Sequence, residues 1–447
     1  MSPNMYVSIA GFLLLLSTAP HAGAATIAAS SCSNTAVTTA IASAIDGDTV
    51  TIPSGNCTWS SPIKTSKGIT IQGAGINMTI INGYGFDMTV PNTKSWRITD
   101  MTFRGSACIG AYTNSKSWRV DHIMFDAVSP GSRCQNRIIW VEPTGPDYTK
   151  GLIDHNTFQD PGAIQIHMRA AGDGGNGEYI RPIGLGTDDA VYIEDNKFVH
   201  TTLNISNPTT DCDGGGRLVF RYNTVQNSYF EMHDAIVGGL RSCRKWEVYN
   251  NTFTMTYESG QFTFIGIRGG TGVIANNTFK PGGYYITSPI VVGLYRTAQL
   301  GGDPWDVQCS SSSGNFLGAS TTIPTSCTST GGSCIRLDGP STSPSGYPCR
   351  DQFGFDGNNP QVSRPVLIYG NTLNGSAHNT FDFNGPSSPS AYIVNNRDYC
   401  TGTTMPASCN GVSTTYKPYT YPHPLQGGIS SGGSVAPPPA PTNLVVS

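Results

Sequence analysis

Several short segments of this chain alternate apolar residues with histidine, arginine and other polar residues. The segment 164–169 reads IQIHMR, and the segment 230–233 reads FEMH. Because successive side chains of a β-strand point to opposite faces, we predict that the polar members of both segments share one solvent-facing side. The residues placed on this side, with those from three related segments, are Gln165, His167, Arg169, Asn204, Glu231, His233, Arg268, Tyr295 and Arg296.

This set of side chains could carry out β-elimination on a polymer of uronic acids. The reaction needs a cation beside the carboxylate, a base that removes the adjacent proton and an acid that protonates the leaving oxygen. Histidine is a natural general base near neutral pH, and arginine binds carboxylates bidentately and stabilises developing negative charge. The predicted catalytic residues are His233 as the base, Arg268 or Arg169 as the cation, His167, and Tyr229 or Tyr295 as the acid; the predicted substrate-binding residues are Glu231, Asn204, Arg217, Tyr295 and Arg296.

Two other functions are compatible with the sequence. The same face could bind carbohydrate without cleaving it, as in an adhesin-like surface protein. The adjacent Asp188 and Asp189 are compatible with a glycoside hydrolase of polygalacturonase type, because paired carboxylates can act as acid and base on a glycosidic bond. Adjacent strand residues point to opposite faces, so at most one of these aspartates would face a groove unless a turn intervenes.

The segment 211–217, DCDGGGR, is rich in glycine. Glycine permits tight turns, so we interpret the three glycines as a turn that a Cys212–Cys243 disulfide ties down. Arg217, at its end, is kept as a candidate groove residue.

Three carboxylates, Asp121, Asp154 and Glu194, occupy equivalent positions in successive repeats, and Arg221 follows them. Neighbouring strands lie about 4.8 Å apart, and carboxylates at that spacing repel each other unless a cation or an arginine neutralises them. Calcium suits a site made of oxygen ligands alone. We therefore consider a calcium site on these three residues, with neutralisation by Arg221 and solvent as the alternative. No cofactor is otherwise required.

The strands that must position these residues belong to an eight-residue repeat with the form of WRVDHIMF and GLIDHNTF. The third position is always β-branched or aromatic, the sixth is Asn in seven copies and the eighth is mostly Phe. Positions one and three would fill a core, Asn would take a left-handed turn and form a ladder between coils, and Phe would point back inside. Fifth-position residues such as His122 and His155 are interpreted as turn residues. The nine copies begin at Trp96, Trp118, Gly151, Val191, Leu218, Trp246, Gly272, Val366 and Ala391.

Self-similarity of this kind predicts a solenoid of stacked coils, with an antiparallel sandwich as the alternative. The predicted fold is all-β, a right-handed parallel β-helix built as a single-stranded solenoid, in which the polar segments form a further sheet. A helix over 38–45 would cap its open end. The predicted parts are a signal peptide (1–24), the β-helix domain (25–425) with a disulfide-rich loop insertion at about 300–365, and a Gly/Ser/Pro-rich tail (426–447).

The first residues and the cysteines both indicate export. The run IAGFLLLLSTA has the length of a signal peptide, and it is shorter than a membrane span. The even number of cysteines, twelve, suits disulfides in an exported protein. We expect a secreted or cell-surface protein with local pairing. The predicted pairs are Cys32–Cys57, Cys108–Cys134, Cys212–Cys243 and Cys400–Cys409, while Cys309, Cys327, Cys334 and Cys349 pair among themselves.

The composition of the chain limits the kinds of molecule that we expect it to bind. The net charge of −3 gives no support for nucleic-acid binding. Charged residues are only 12% of the chain and glycines number 53, which suits β-coils with tight turns. We expect an acidic polysaccharide as the partner, no membrane span and a monomeric protein.

Over about residues 45–400 the chain resembles the pectate-lyase-like superfamily of right-handed β-helix proteins. The likeness lies in TIQGAG and in the strands WRVDHIMF and GLIDHNTF; WRVDH, with Trp118, Asp121 and His122, is similar to the Trp-x-x-Asp-His strand of many pectate lyases. The calcium-site acidic residues and the Arg-x-Pro-x-x-Arg segment of pectate lyases are not evident, nor are the Asn-Thr-Asp and Gly-His motifs of polygalacturonases. The resemblance implies a carbohydrate-active protein without specifying a substrate.

Overall fold

The structure is a computed structural model in which the described residues are mostly β-strand with few helices. The long sheets consist of parallel strands, so the fold is all-β and solenoid-like. The described residues are 23–144, 148–170, 176–201, 207–233, 241–256, 263–282, 288–293, 362–384 and 393–428, with the short pieces 335–336, 339–340, 351 and 353–356.

Three ladders of parallel strands run along the molecule. The first and second ladders share one 21-stranded sheet, because two long strands, Trp96–Arg104 and Trp118–Asp126, take part in both. The first ladder contains these two strands and Thr26–Ala28, Thr49–Ile52, Thr70–Gly73, Gly151–Asp154, Val191–Glu194, Arg217–Arg221, Lys245–Tyr249, Thr271–Ala275, Val366–Tyr369 and Tyr399–Gly402. The second adds Gly55–Trp59, Thr79–Gly83, Thr157–Gln159, Lys197–Val199, Thr224–Gln226, Thr252–Thr254, Thr278–Lys280 and Thr372–Leu373, with Ser376–Ala377 antiparallel at its end.

The third ladder is the further sheet predicted from the polar segments. It consists of a six-stranded and a four-stranded parallel sheet. The first has Ile63–Thr65, Phe86–Met88, Ile109–Ala111, Arg137–Val141, Ile164–Arg169 and Thr210–Asp213; the second has Phe230–Glu231, Ile265–Ile267, Ile290–Gly293 and Asp382–Asn384. The remaining short strands pair antiparallel: Ile335–Arg336 with Gly339–Pro340, Phe355–Asp356 with Val362–Ser363, and Ser408–Cys409 with Val412–Ser413.

The inward columns of the repeat form the core. Val120 pairs with Ile98 on one side and Ile153 on the other, and this third-position column continues coil by coil to Ile368. Its members in the first eight copies are fully buried. The eighth-position rings stack in the same way, with 4.6 Å between the ring centroids of Phe125 and Phe158. Each coil thus buries an apolar face that it could not bury alone.

The sixth-position asparagines form the predicted ladder. Asn196 donates from Nδ2 to Oδ1 of Asn223 (3.1 Å), and Asn223 donates to Oδ1 of Asn251 in the same way (3.1 Å). The backbone N–H of each also donates to the next Oδ1 (3.0 and 2.9 Å). These side chains are about 1% exposed, so the ladder satisfies polar groups that water does not reach.

The prediction that the asparagine itself takes the left-handed conformation is wrong for six of its seven copies and holds only for Asn396 (φ 64°). In the first eight copies the residue with positive φ is at position five, for example Asp100 (60°), His155 (54°) and Tyr222 (56°). The turn comes one residue earlier because the asparagine side chain must point inward to reach its neighbours. In the eighth copy this place is taken by Gly370 (67°), which has no Cβ to strain it.

The ninth copy, which begins at Ala391, does not join the first ladder. Its third-position residue, Ile393, is buried, but Tyr399–Gly402 pairs with Val366–Tyr369 in its place. Asn396 is likewise absent from the ladder, whose last step runs from Asn371 Nδ2 to Asn379 Oδ1 (3.2 Å).

Helices are short. The predicted N-terminal helix exists but spans Asn34–Ser43, because the Ser33 hydroxyl accepts the Ala36 N–H and caps it. Its buried residues Val37, Ala40 and Ile41 belong to the main core, so it packs on the first coils. The other helices among the described residues are Asn176–Ile180 and the 3-10 turns Arg133–Asn136 and Pro424–Gly427.

Four disulfides join the pairs predicted from local spacing. They link Cys32 to Cys57, Cys108 to Cys134, Cys212 to Cys243 and Cys400 to Cys409. The other four cysteines, and most of the 300–365 insertion, lie outside the described residues, as do the predicted signal peptide through residue 22 and the tail beyond Gly428. No helix in the described part of the chain is long and apolar enough to cross a membrane.

Candidate functional site

Ile164–Arg169 has two neighbouring strands in its sheet, Arg137–Val141 and Thr210–Asp213. The second of these was not predicted as a strand from the sequence. Asn204 lies outside the described residues. Residues 211–213 belong to a strand, and the glycines after them make the predicted turn, with φ of 55° at Gly214 and 79° at Gly215 and the Cys212–Cys243 disulfide beside it.

This pairing brings two unpredicted carboxylates into the site. Asp211 lies opposite His167, and Asp213 lies opposite Arg169. The side chains of the strand Thr210–Asp213 alternate between its two faces. Cys212 points into the core and forms a disulfide, while the aspartates on either side of it point outward. The alternation T-D-C-D was the sequence signal that could have revealed it.

We call the charged residues on the outer face of the third ladder the Asp211 cluster. They lie where the six-stranded and four-stranded sheets meet, since the His233 N–H donates to the Cys212 carbonyl (2.9 Å). The structure brings together most of the predicted catalytic side chains here. The cluster consists of Arg137, His167, Arg169, Asp211, Asp213, Glu231, His233 and Arg268.

Asp211 connects the two histidines. Its Oδ2 lies 3.2 Å from Nδ1 of His167, and its Oδ1 lies 2.5 Å from Nδ1 of His233, at an angle outside that of a well-formed hydrogen bond. Arg137 is 3.6 Å from the same carboxylate. Burial alone would raise the pKa of Asp211, but the charges of His233 and His167 outweigh it and hold the pKa well below its ordinary value.

The two histidines differ in access. His167 is fully buried, and its Nε2 lies 3.5 Å from Asp213 Oδ1. Burial would lower its pKa, yet Asp211 and Asp213 together raise it. The side chain of His233 is 19% exposed. Only His233 of the pair is therefore placed to meet a molecule from solution.

The arginines of the cluster are paired with carboxylates. Arg169 donates from Nε and Nη2 to Asp213 (2.7 and 2.9 Å), and Arg268 contacts Glu231. Burial would raise the pKa of Asp213, but hydrogen bonds from Arg169 and His167 lower it to about 2. The side chains of Arg169 and Arg268 are 24% and 14% exposed, so both guanidinium groups reach the surface.

Tyr229 lies on the same face and donates its hydroxyl to Glu231 Oε2 (3.3 Å). Burial, and secondarily the charge of Glu231, raise the pKa of the Tyr229 hydroxyl. The hydroxyl is therefore a weaker acid than that of a free tyrosine and stays protonated over the whole neutral range.

Unpaired buried polar atoms concentrate on this face. Among the described residues, seven buried side-chain N or O atoms have no hydrogen-bond partner within the protein, and five lie on the third ladder's outer face. Three of these atoms nevertheless lie beside an opposite charge, since Asp211 Oδ1 and His233 Nδ1 are 2.5 Å apart and His167 Nε2 is 3.5 Å from Asp213 Oδ1. The five are Trp140 Nε1, Gln165 Oε1, His167 Nε2, Asp211 Oδ1 and His233 Nδ1.

Other predicted site residues lie elsewhere. Arg217 is 4% exposed and donates to Glu178 Oε2 (2.6 Å) and Asp189 Oδ2 (2.9 Å), so the prediction that it lines the groove is wrong. Tyr295 and Arg296 lie outside the described residues.

The Asp188–Asp189 pair is divided between two environments. Asp189 receives hydrogen bonds from both Arg181 and Arg217, whereas Asp188 is half exposed and 3.0 Å from Lys150. Both aspartates precede a first-ladder strand, away from the Asp211 cluster. Nothing in this geometry pairs the two carboxylates across a bound glycosidic bond.

The acidic ladder is neutralised by arginines. Arg97 binds Asp121 (2.6 Å from Nε to Oδ1), Arg119 binds Asp154 (2.8 Å), and Arg221 binds Glu194 (2.6 Å). The oxygens that calcium would require thus already accept guanidinium hydrogen bonds, and these residues do not fit a calcium site. Among the described residues, no group of three or more His, Cys, Asp or Glu side chains is arranged to hold a metal ion.

The C-terminal segment covers this ladder. The Arg221 guanidinium donates to the carbonyls of Tyr419 and Thr420, and the backbone N–H of His423 donates to Glu194 Oε1 (2.8 Å). Residues 416–428 therefore belong to the folded body, beyond the predicted boundary at 425. The outer face of the first ladder is occupied by the chain itself, while the Asp211 cluster is on another face.

These observations define the class of the protein: an all-β, solenoid-like fold with parallel sheets, at least four disulfides and a charged cluster on one outer face. No protein-family model matches the sequence, and no curated protein matches it. The fold is similar to that of ORF18 of Geobacillus virus E2, with 14% identity over 57% of this chain and 55% of that one (TM-score 0.33).

A point mutant of the PL6 family alginate lyase AlyGC is also similar, with 13% identity over 92% of this chain and a TM-score of 0.38. The chain spans 59% of the length of that lyase and 55% of that of the viral protein. At these identities and TM-scores neither likeness carries an inference about function, which must come from the cluster itself.

Proposed function

We propose that this protein is a secreted right-handed parallel β-helix protein, related to the pectate-lyase-like superfamily, that cleaves a uronic-acid polymer by β-elimination. The observation that carries the proposal is the contact between the partly exposed His233 and the buried carboxylate of Asp211. A histidine oriented by a buried carboxylate is a general base whose second nitrogen faces the substrate. The disulfides and the signal-like N-terminus support secretion.

In the proposed reaction, His233 removes a proton from the carbon beside the substrate carboxylate. Because Asp211 accepts only, Nδ1 of His233 carries the hydrogen and Nε2 is the basic atom. The electron pair left on carbon forms a carbon–carbon double bond as the glycosidic carbon–oxygen bond breaks. The protonated Tyr229 hydroxyl supplies the proton for the departing oxygen.

Arg268 and Arg169 are the proposed cations. Their guanidinium groups are partly exposed. Arg268 directly follows Ile265–Ile267, the strand beside Phe230–Glu231, and Arg169 ends Ile164–Arg169, the strand on the far side of Thr210–Asp213. Both would bind the substrate carboxylate as negative charge develops. Each also contacts a protein carboxylate, which fixes its orientation. The substrate would share the guanidinium with Asp213 or Glu231 rather than meet an unpaired charge. No step of the proposal uses calcium.

A second candidate is carbohydrate binding without cleavage. It is favoured by the same ion pairs, because a cluster whose arginines already pair with carboxylates has less positive charge to offer a transition state. The partner is an acidic polysaccharide in either case.

The two candidates differ in their products. Purified protein should be incubated with pectate, alginate, glucuronan and glycosaminoglycans, and unsaturated ends detected by the ultraviolet absorbance of the new double bond. A rise in absorbance with at least one polymer supports the lyase. Binding of a polymer without unsaturated or reducing ends contradicts the lyase and supports the second candidate.

A further inference from the structure

His122 and His155 stack on each other at one edge of the solenoid, away from the Asp211 cluster. Asp121 pairs in register with Asp154, so the histidines that follow them occupy the same place in adjacent coils. Their ring centroids are 5.2 Å apart and the rings are within 8° of parallel. The side chains are 46% and 41% exposed, which makes them accessible from solution.

Each ring is held by a buried carboxylate. Nδ1 of His122 lies 2.6 Å from Asp121 Oδ2, and Nδ1 of His155 lies 2.7 Å from Asp154 Oδ2. An ionised carboxylate only accepts hydrogen bonds, so Nδ1 carries the hydrogen in both rings. The lone pair of each neutral ring is therefore on Nε2, the nitrogen remote from the carboxylate.

This arrangement is the one that metal-binding histidines share. A ligating histidine usually donates its other N–H to a carboxylate, which fixes the tautomer and makes the ligating nitrogen more basic. Here the arrangement occurs twice, on neighbouring coils, with both Nε2 atoms on the same edge. A turn residue needs no such carboxylate, since Asn250 and Asn276 take the same left-handed conformation in later coils (φ 56° and 54°).

We propose that His122 and His155 bind a first-row transition-metal ion such as Cu²⁺, Ni²⁺ or Zn²⁺ through their two Nε2 atoms. Metal–nitrogen bonds of about 2.1 Å require the two nitrogens to approach within about 4 Å. The Cβ–Cγ torsion of histidine is soft, so small rotations that keep each Nδ1 hydrogen on its carboxylate would bring the two Nε2 atoms together. Solvent or a bound molecule completes the coordination sphere.

The surrounding charge favours a cation at this edge. The register places Asp100 one coil before His122 and Asp195 one coil after His155. Arg97 and Arg119 neutralise the two buried aspartates, Asp121 and Asp154. This histidine site is independent of the proposed lyase reaction, and its test measures metal binding rather than enzymatic activity.

The test is a titration of untagged full-length protein with Cu²⁺, followed by calorimetry and electron paramagnetic resonance. The variants His122→Asn and His155→Asn should fold, because asparagine occupies this place in other coils. The control is His378→Asn, a partly exposed histidine outside both clusters. Thermal unfolding confirms that each variant is folded.

We expect one Cu²⁺ per chain with two coordinating imidazole nitrogens. Each single variant should lose the signal of one coordinating nitrogen, and its affinity for Cu²⁺ should fall at least about tenfold. Loss of a metal ligand costs at least as much affinity as loss of a group that hydrogen-bonds to a ligand. The control should bind as the wild type does. If a variant carrying both His122→Asn and His155→Asn binds Cu²⁺ with wild-type affinity, or if the wild type shows fewer than two imidazoles, the proposal is wrong.

Discussion

Oδ1 of Asp211 lies 2.5 Å from Nδ1 of His233, across the boundary between the two sheets of the third ladder. The carboxylate is buried and ionised, whereas the imidazole reaches the surface. A fixed negative charge beneath a partly exposed base is a costly arrangement for structure alone, because a buried carboxylate must be fully paired. It is the relationship on which the proposed function depends.

Asp211→Asn should leave substrate binding nearly intact and slow cleavage. The amide fills the same space but cannot hold the Nδ1 hydrogen of His233 as a carboxylate does. We expect kcat to fall about 100-fold or more, the usual contribution of general base catalysis, with little change in KM. Initial rates on the cleaved polymer test this, with circular dichroism as the folding control. A folded variant with kcat within a factor of two of the wild type would contradict the role of Asp211.

Acid should destabilise the protein through Asp213. Its pKa is about 2 in the folded protein, below the ordinary value of 3.8, so the unfolded chain takes up the proton first. The stabilisation is complete above pH 4 and is lost as the pH falls towards 2, and about 1 kcal/mol of it should disappear between pH 5 and pH 3. Urea unfolding at both pH values measures the loss. Asp213→Asn should show a shallower fall over this interval, and an equal fall in both proteins would refute the assignment.

The fold was predictable because its signal is repeated. Nine copies with one apolar column predict stacked coils, and eight of them pair as expected, with the asparagine ladder and the stacked Phe rings. The ninth copy does not pair as predicted, because a matching sequence pattern does not fix which strand it pairs with. Residues 399–402 pair with the free edge of Val366–Tyr369 instead, and a disulfide joins Cys400 to Cys409.

The site was only half predictable. His167, Arg169, Glu231, His233 and Arg268 were found from their alternation with apolar residues. Asp211 and Asp213 were missed because their strand has four residues and no aliphatic side chain, and because three glycines follow it. Which strand lies beside which depends on loop lengths that local patterns do not encode.

Asn223→Ala should destabilise the fold strongly. The Oδ1 atom of Asn223 accepts hydrogen bonds from the backbone N–H and from Nδ2 of Asn196. Its Nδ2 atom donates to the Ile193 carbonyl and to Oδ1 of Asn251. Each buried group left unpaired costs about 1–3 kcal/mol, so we expect a loss of at least about 3 kcal/mol. Denaturant unfolding measures it. The adjacent exposed Thr224→Ala is the control and should change stability by less than about 0.5 kcal/mol; equal effects would show that the ladder contributes nothing.

Two arginine–carboxylate pairs between adjacent coils should differ in their contribution. Arg221 and Glu194 are both fully buried, whereas Arg104 and Asp126 are 40% and 30% exposed. Arg221→Ala leaves a buried charge unpaired and should cost about 3–5 kcal/mol. Arg104→Ala should cost less than about 1 kcal/mol. Comparable losses in thermal or urea unfolding would mean that the arginines are not what neutralises the acidic ladder.

The most direct test of the proposed function is the rate of double-bond formation by wild-type protein and by His233→Ala on the same acidic polymer, with His378→Ala as the matched control. We predict that the wild type and the control release unsaturated ends at equal rates. His233→Ala should still bind the polymer but lose activity by about 100-fold or more. If His233→Ala cleaves as fast as the wild type, or if no acidic polymer yields unsaturated ends, the Asp211 cluster is not a lyase site.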